Sequence, residues 1–320
     1  MAGNKKTNKP KLVLSGRAKA MKKGQTLFLF AMLILPTLGF FLNWVTVNIN
    51  AILLAFKDQE GAFSMVNFQD FWALLTNPYG ATLGLALKNT TKYWVVGVFF
   101  NLPMSVIIAY FLYKKIALYK SFRVIFFFPC IVTGMIMVSA YTMIVNPGGP
   151  WDKLLRLFGG SVPSWGYFND ASTATNTILV YCIWMGAGTN MILAGSAMAR
   201  IPDSVIEAAK LDGCGPFREL IQIVLPLIWP TLATMILLTF TSFLATSGPI
   251  LLFAPDGQAD TTTINFWMYK QVFGAGEFGS SGGTGKYGLL SATGLVFTVV
   301  WMPVVLFVRW LTNLVPDVEY

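Results

Sequence analysis

No histidine occurs among the 320 residues. That absence removes imidazole acid–base catalysis, histidine-ligated metal centres and histidine proton relays together. Charge is sparse too: charged residues are 12% of the chain and hydrophobic ones 55%. A soluble domain of this composition would expose more apolar surface than water tolerates. There are only three cysteines, Cys130, Cys182 and Cys214, too few for a disulfide framework. Two of them fall within apolar runs, where a thiol behaves as a small hydrophobe. The 14 acidic residues are scattered through polar segments. A polytopic membrane enzyme, one alternative for the chain, would need them clustered around a metal or an acid–base pair.

What is present is a set of long apolar runs without charge. Crossing about 30 Å of hydrocarbon takes about 20 residues at helical rise. Six stretches qualify: Thr26 to Trp44 (continuing apolar to Phe56), Tyr93 to Tyr113, Val124 to Val145, Asn176 to Met198, Pro226 to Phe253, and Leu289 to Val308. Pro36, Pro103, Pro129, Pro230, Pro249 and Pro303 lie inside them. Membrane helices accommodate such prolines because neighbours re-satisfy the freed carbonyls, so kinked spans are expected. The fold class is therefore an all-α membrane protein of six transmembrane helices. Its organisation is a basic tail over 1–24 followed by a six-span domain over 25–320.

Basic residues orient it. Lys5, Lys6, Lys9, Lys11, Arg17, Lys19, Lys22 and Lys23 precede the first span with no acid among them, and Lys114, Lys115, Lys120 and Arg123 crowd one short turn. The positive-inside rule places both in the cytoplasm, and with six spans both termini lie there. Loops 57–92, 146–175 and 254–288 then face outward. The tail reads as a topology signal against anionic lipid headgroups rather than as a nucleic-acid arm, since no aromatic interleaving or folded reader accompanies it. It is also a poor secretory signal, because the apolar run is too long and no small-x-small cleavage site follows.

Between spans four and five lies Glu207-Ala-Ala-Lys-Leu-Asp-Gly-Cys-Gly-Pro-Phe-Arg-Glu-Leu-Ile-Gln-Ile-Val-Leu-Pro226. Pro202, Asp203 and Ser204 read as a helix start, with Ser204 and Glu207 at capping-box spacing. Val205, Ala208, Ala209 and Leu211 give a small apolar face about two turns long. Gly213 and Gly215 break the helix, and Pro216 suits the start of a second one that is expected to run straight into span five. A helix–glycine–helix elbow between two apolar spans is a mechanical part.

The spacing Glu207-Ala208-Ala209, Gly213, Ile223, Leu225-Pro226 resembles the EAA signature of membrane subunits of bacterial binding-protein-dependent ABC importers. The likeness extends to Ala86-Leu87-Lys88-Asn89-Thr90, Phe122-Arg123 through Pro129, Asn146-Pro147 and Tyr287-Gly288. It is strongest toward the carbohydrate-importing group and its maltose- and glycerol-phosphate-type first permease. The sequence has neither the large outward insertion nor the extra leading spans of the maltose permease, so contacts made by that insertion are not carried over.

The resemblance implies a type I importer permease fold in a bacterial cytoplasmic membrane. It implies a heterodimer with a second homologous permease, two cytoplasmic ATPase subunits beneath, and an extracytoplasmic sugar-binding protein that docks on loops 146–175 and 254–288. ATP and magnesium would belong to those ATPases, and this chain would need no cofactor of its own. The elbow, within 200–223, would be the coupling helix. By position Glu207 would face a basic group of the ATPase, Ala208 and Ala209 would line the contact, Gly213 would permit the bend, and Leu211, Ile223, Leu225 and Pro226 would complete the element.

Two glycine strings, Gly274 to Gly279 and Gly283 to Gly288, fit GxGxxG. They lack a surrounding βαβ unit, and Tyr287 stands where a phosphate loop needs Ser or Thr, so both read as outward loop. The span centres carry no Asp, Glu, Lys or Arg, which disfavours the other alternative, an ion-driven secondary sugar carrier. Their absence suits an uncharged, hydroxyl-rich solute. Such a solute wants hydrogen-bonding side chains and aromatic faces. Asn101, Ser105, Tyr141, Trp184, Asn190, Thr241, Ser242, Thr246 and Ser247 are the candidates, with Ser247-Gly248-Pro249 expected to interrupt span five. Trp151 to Phe158 reads as a short amphipathic outward helix closed by Gly159-Gly160.

Overall fold

The computed structural model describes residues 16–58, 60–76, 81–273 and 285–315. Residues 1–15 of the basic tail, the first glycine string and the start of the second lie outside the described residues. Among the described residues the chain is helical apart from turns and one isolated antiparallel bridge, Lys57 with Phe63. Hydrocarbon offers backbone groups no partners, so helices that close their own hydrogen bonds are what a span requires.

Among the described residues four helices are long and apolar enough to cross a bilayer: Gly24–Ala55, Leu83–Tyr113, Ala174–Met198 and Tyr287–Asn313. Two bent pairs, Tyr119–Ile131 with Gly134–Leu157 and Pro216–Leu227 with Trp229–Thr241, bring the total to six if each pair is one span. The kinks take a specific form. The helix widens to a π-turn over Gly97–Asn101 just before Pro103, where Leu102 N–H reaches back to Gly97 O. A second π-turn over Leu220–Val224 precedes Pro226, with Leu225 N–H bonded to Leu220 O. A third spans Phe40–Val45, shortly after Pro36. In the first two, the proline ring would clash with the carbonyl four residues back, and the wider turn moves that carbonyl aside.

Two spans depart from their expected form. The third is not one rod over 124–145. Its helix stops at Ile131, Val132 and Thr133 are extended, and the continuation from Gly134 turns away by 109°. Pro129 has already removed a helical N–H, and the β-branched run Ile131-Val132-Thr133 ahead of Gly134 resists helix. The fifth does not continue straight from the elbow either. It bends by 80° at Ile228, because Pro230 cannot donate to Pro226 O. The helix then ends at Thr241, and Ser242 to Pro249 are turns before the short helix Ile250–Phe253. The interruption expected at Ser247-Gly248-Pro249 is thus present and begins earlier, with Gly248 at a φ of 56°.

Close approach of helices rests on particular glycines. A Cβ on Gly188 would lie 2.6 Å from Cys130 Sγ and 2.7 Å from Phe126 O, and one on Gly186 would lie 2.5 Å from Asn101 Nδ2. Span four therefore meets spans three and two at a glycine waist, the usual device of membrane helices. Before span two, Asn89 donates to Asp260 O at 2.6 Å and Thr262 O at 3.0 Å, while Thr90 Oγ1 accepts from Ile264 N–H. Gly288 leaves room for Asn67, which donates to Ala55 O and Lys57 O.

One apolar core runs through the half of the helices that carries the elbow. It joins Leu102, Val106 and Tyr110 of span two, Met191, Ala194 and Met198 of span four, Ile206, Leu220 and Val224 of the elbow, and Leu232 and Met235 of span five. The first span, by contrast, exposes nearly every large side chain from Leu27 to Trp44. Such a surface requires lipid or another membrane subunit against it.

Candidate functional site

The elbow begins with the helix Asp203–Leu211. Pro202 takes the N-cap with ψ at 136° and offers no side-chain bond, which leaves Ser204 inside the first turn. The capping box expected between Ser204 and Glu207 is therefore not formed. Asp203 in the first turn and Lys210 in the last still complement the helix dipole.

The far end closes as a Schellman motif. Cys214 N–H donates to Ala209 O at 3.0 Å, Gly213 N–H to Lys210 O at 3.1 Å, and Gly213 sits at a φ of 73°. The chain then extends through Gly215 into the second helix, with Pro216 in its first turn.

Burial sorts the elbow's faces. Ile206 and Ala209 are buried against the spans, whereas Glu207 and Ala208 are exposed and Leu211 is 89% exposed. Ala209 therefore faces inward, away from the outer contact in which the resemblance had paired it with Ala208. A helix turns 100° per residue, so two adjacent alanines cannot share one narrow face. Phe217, just beyond the glycines, is 68% exposed, so it and Leu211 present two large apolar side chains on the elbow. Ile223, Leu225 and Pro226 are half-buried in the second arm.

An ion pair holds that second arm from behind. Glu219 is 2% exposed, and its carboxylate accepts from Lys114 Nζ at 2.7 and 2.8 Å and from Tyr110 Oη at 3.2 Å. Tyr110 also donates to Pro216 O at 2.9 Å. The elbow is thereby clamped to the end of span two that carries Tyr110 and Lys114. Sequence reasoning passed over Glu219. Its one signal was an acid at the head of an otherwise uncharged run.

The polar candidates along the spans divide by what their groups already bond. Ser105, Thr241, Ser242 and Thr246 each return their hydroxyl to a carbonyl of their own chain three or four residues back. Tyr141 donates to Thr177 O at 2.9 Å. Asn190 and Ser247 are half-buried and make no side-chain hydrogen bond within the described residues. Asn101 gives its amide to Cys182 O at 3.3 Å, but its Oδ1 is buried without a partner among the described residues, as are Tyr93 Oη and Trp94 Nε1 about two turns earlier on the same span. An unmet polar atom in an apolar interior is costly. In the sequence Tyr93 and Trp94 carry no signal beyond their place at the start of an apolar run.

Aromatic rings gather among the candidates. Tyr141, Phe168, Tyr181, Trp184 and Phe253 form a connected cluster, with ring centroids 5.1 to 6.4 Å apart. It brings Tyr141 and Trp184 together. The short helix expected over 151–158 is present as Pro150–Leu157, ended by Gly159 at a φ of 79° and by Gly160 N–H on Leu155 O. Asp152 ties this loop together by accepting from Val162 N–H, Gly148 N–H and Arg156 Nε. Those three donors, the Val162 N–H foremost, hold its carboxyl down to about 2.

Comparison with known proteins follows this geometry. Residues 101–316 match the family described as the binding-protein-dependent transport system inner membrane component. A polygalacturonan/rhamnogalacturonan transport system permease protein, YteP, of Bacillus subtilis (strain 168) is 26% identical over 84% of this chain and 85% of its own. The maltose/maltodextrin transport system permease protein MalF of Escherichia coli (strain K12) is 25% identical over 66% of this chain, which spans only 42% of MalF. A crystal structure of a bacterial ABC transporter involved in the import of the acidic polysaccharide alginate has a chain that superposes with a TM-score of 0.76 at 20% identity, covering 93% of this chain and all of that one. That likeness identifies the fold as the type I importer permease fold. With two thirds of its length under the family pattern, the chain belongs to the inner-membrane components of binding-protein-dependent transport systems, which are transport subunits rather than enzymes.

Proposed function

We propose that this chain forms half of the translocation path for a saccharide, paired with a second, related permease. Two separate ATPase subunits, which carry the ATP and magnesium, drive it, and an extracytoplasmic binding protein delivers the substrate. The elbow is the point of drive. Glu207, Ala208 and Leu211 face outward to be gripped, Phe217 adds a second apolar foot, and the Lys114–Glu219 clamp passes displacement to span two. Closure of the ATPases would move the elbows together and turn the path toward the outside.

The observation that carries this reading is the exposed, glycine-closed elbow whose inner face is continuous with the cores of spans two, four and five. The saccharide is supported by the names of the relatives and by the Tyr141–Trp184 aromatic cluster, since sugar rings pack on aromatic faces. Asn101, Asn190 and Ser247 supply hydrogen-bonding groups near it. The orientation is cytoplasmic for both termini and for the elbow, with loops 146–175 and 254–288 outside.

The test is Gly213→Pro in the assembled complex. The substitution cannot adopt a φ of 73° and removes the N–H bonded to Lys210 O. The variant is expected to insert and assemble but to lose saccharide-stimulated ATP hydrolysis in proteoliposomes. Hydrolysis stimulated as in the parent would overturn the role given to the elbow.

A further inference from the structure

A cavity of about 810 Å³ lies between the elbow and the cytoplasmic ends of spans two, three and four. Leu112, Phe127, Met191 and Ile192 make an apolar side within the spans, Lys115, Arg123 and Lys210 make a cationic side at the membrane surface, and Tyr113, Tyr119 and Ser196 add polar groups to the lining. Asp203 is the acid on its wall. Lys114 also reaches it, but its ammonium is committed to Glu219. None of Lys115, Arg123 and Lys210 forms an ion pair within the described residues. Just outside the cavity Phe122, Val124, Ile125 and Phe128 are exposed, continuing the apolar surface away from the cations.

We propose that this cavity takes an acidic phospholipid of the cytoplasmic leaflet, the phosphate lying among Lys115, Arg123 and Lys210 and the upper acyl chains along Phe127 and Ile192. The division of the walls selects the occupant. Three cations beside a single acid call for an anion rather than a neutral saccharide, and a soluble polyanion would gain nothing from the apolar wall. Basic pockets between helices at the cytoplasmic side are suited to acidic headgroups. Ile206 and Lys210 belong to the elbow, so a lipid held here would set the elbow's stance from behind while its outer face stays free. The inference rests on the cytoplasmic orientation argued above.

The full chain, purified in neutral detergent, is titrated with phosphatidylglycerol and with phosphatidylcholine, and retained lipid is read by native mass spectrometry. Phosphatidylglycerol is expected to be retained preferentially. Lys115→Gln, Arg123→Gln and Lys210→Gln together should weaken it by about 100-fold, at about one kcal/mol for each cation. The charge-keeping set Lys115→Arg, Arg123→Lys and Lys210→Arg should bind like the parent. Photo-crosslinking of phosphatidylglycerol to the unaltered chain should label peptides from 109–127 and 191–210, a readout that needs no variant. Equal affinity of the Gln set and the parent, crosslinks elsewhere, or displacement by soluble glycerol phosphate would each overturn the proposal. None of these results bears on elbow coupling, and orientation is tested separately by cysteine labelling.

Discussion

At the residue scale the sharpest constraint is at Gly188. A methyl group there would press on the Phe126 carbonyl, which is backbone and cannot rotate away. Gly188→Ala should therefore destabilise the chain by about 1–3 kcal/mol through overpacking. Gly195, on the same helix with nothing near its Cβ position, is the control, and Gly195→Ala should stay within about 0.5 kcal/mol of the parent. Thermal unfolding in one detergent compares them, and equal losses would disprove the waist. Asp152 gives a pH-dependent counterpart. Its folded carboxyl is depressed to about 2, so its support is full above the ordinary carboxylate range and is lost as pH falls from about 4 through about 2. Asp152→Asn should abolish that acid-range loosening of the loop 146–162, read as protease nicking. None of this was legible beforehand. A glycine in an apolar run announces small size but not the neighbour that demands it, and Asp152 looked like one more loop acid.

At the element scale the elbow was legible because its signals are local: a proline start, a short apolar face, a glycine end. The clamp behind it was not, because Lys114 and Glu219 are 105 residues apart and each resembles an ordinary cytoplasmic charge. Pairing is favourable here only because Tyr110 and both ammonium contacts satisfy a carboxylate that is almost wholly buried. Glu219→Ala should thus cost about 2–3 kcal/mol by stranding a mostly buried ammonium, whereas Glu219→Gln with Lys114→Met should recover much of it. A double-mutant cycle of unfolding midpoints measures the coupling, and additive losses would mean that the pair contributes nothing jointly. Kinks were legible in kind, since prolines in spans announce them. Their form was not. The π-turn before Pro103 and the 109° turn after Ile131 depend on which neighbours accept the freed groups, and single-sequence periodicity carries no such information.

At the scale of the whole molecule, hydropathy reads six spans, and the described residues hold four long apolar helices, or six if each bent pair is one span; the sidedness is an expectation drawn from lysine and arginine. Both signals are averages over many residues and survive local surprises such as the two bent spans. Two exposed residues convert sidedness into a measurement. Leu157 ends the outward helix and Leu211 ends the elbow helix, and both are largely exposed. Between them in sequence lies the unbroken helix Ala174–Met198, long and apolar enough to cross a bilayer, and a crossing there would put them on opposite sides. In the proposed orientation, the twelve cations before span one and in the 114–123 turn put Leu211 on the inner side. With the three native cysteines replaced by serine, Leu157→Cys should react with a membrane-impermeant maleimide in intact cells. Leu211→Cys should react only in inverted vesicles, and partner ATPase should shield it when assembled. Labelling of both from one side would remove span four as a crossing, and reversed labelling would put the elbow where no cytoplasmic ATPase could reach it.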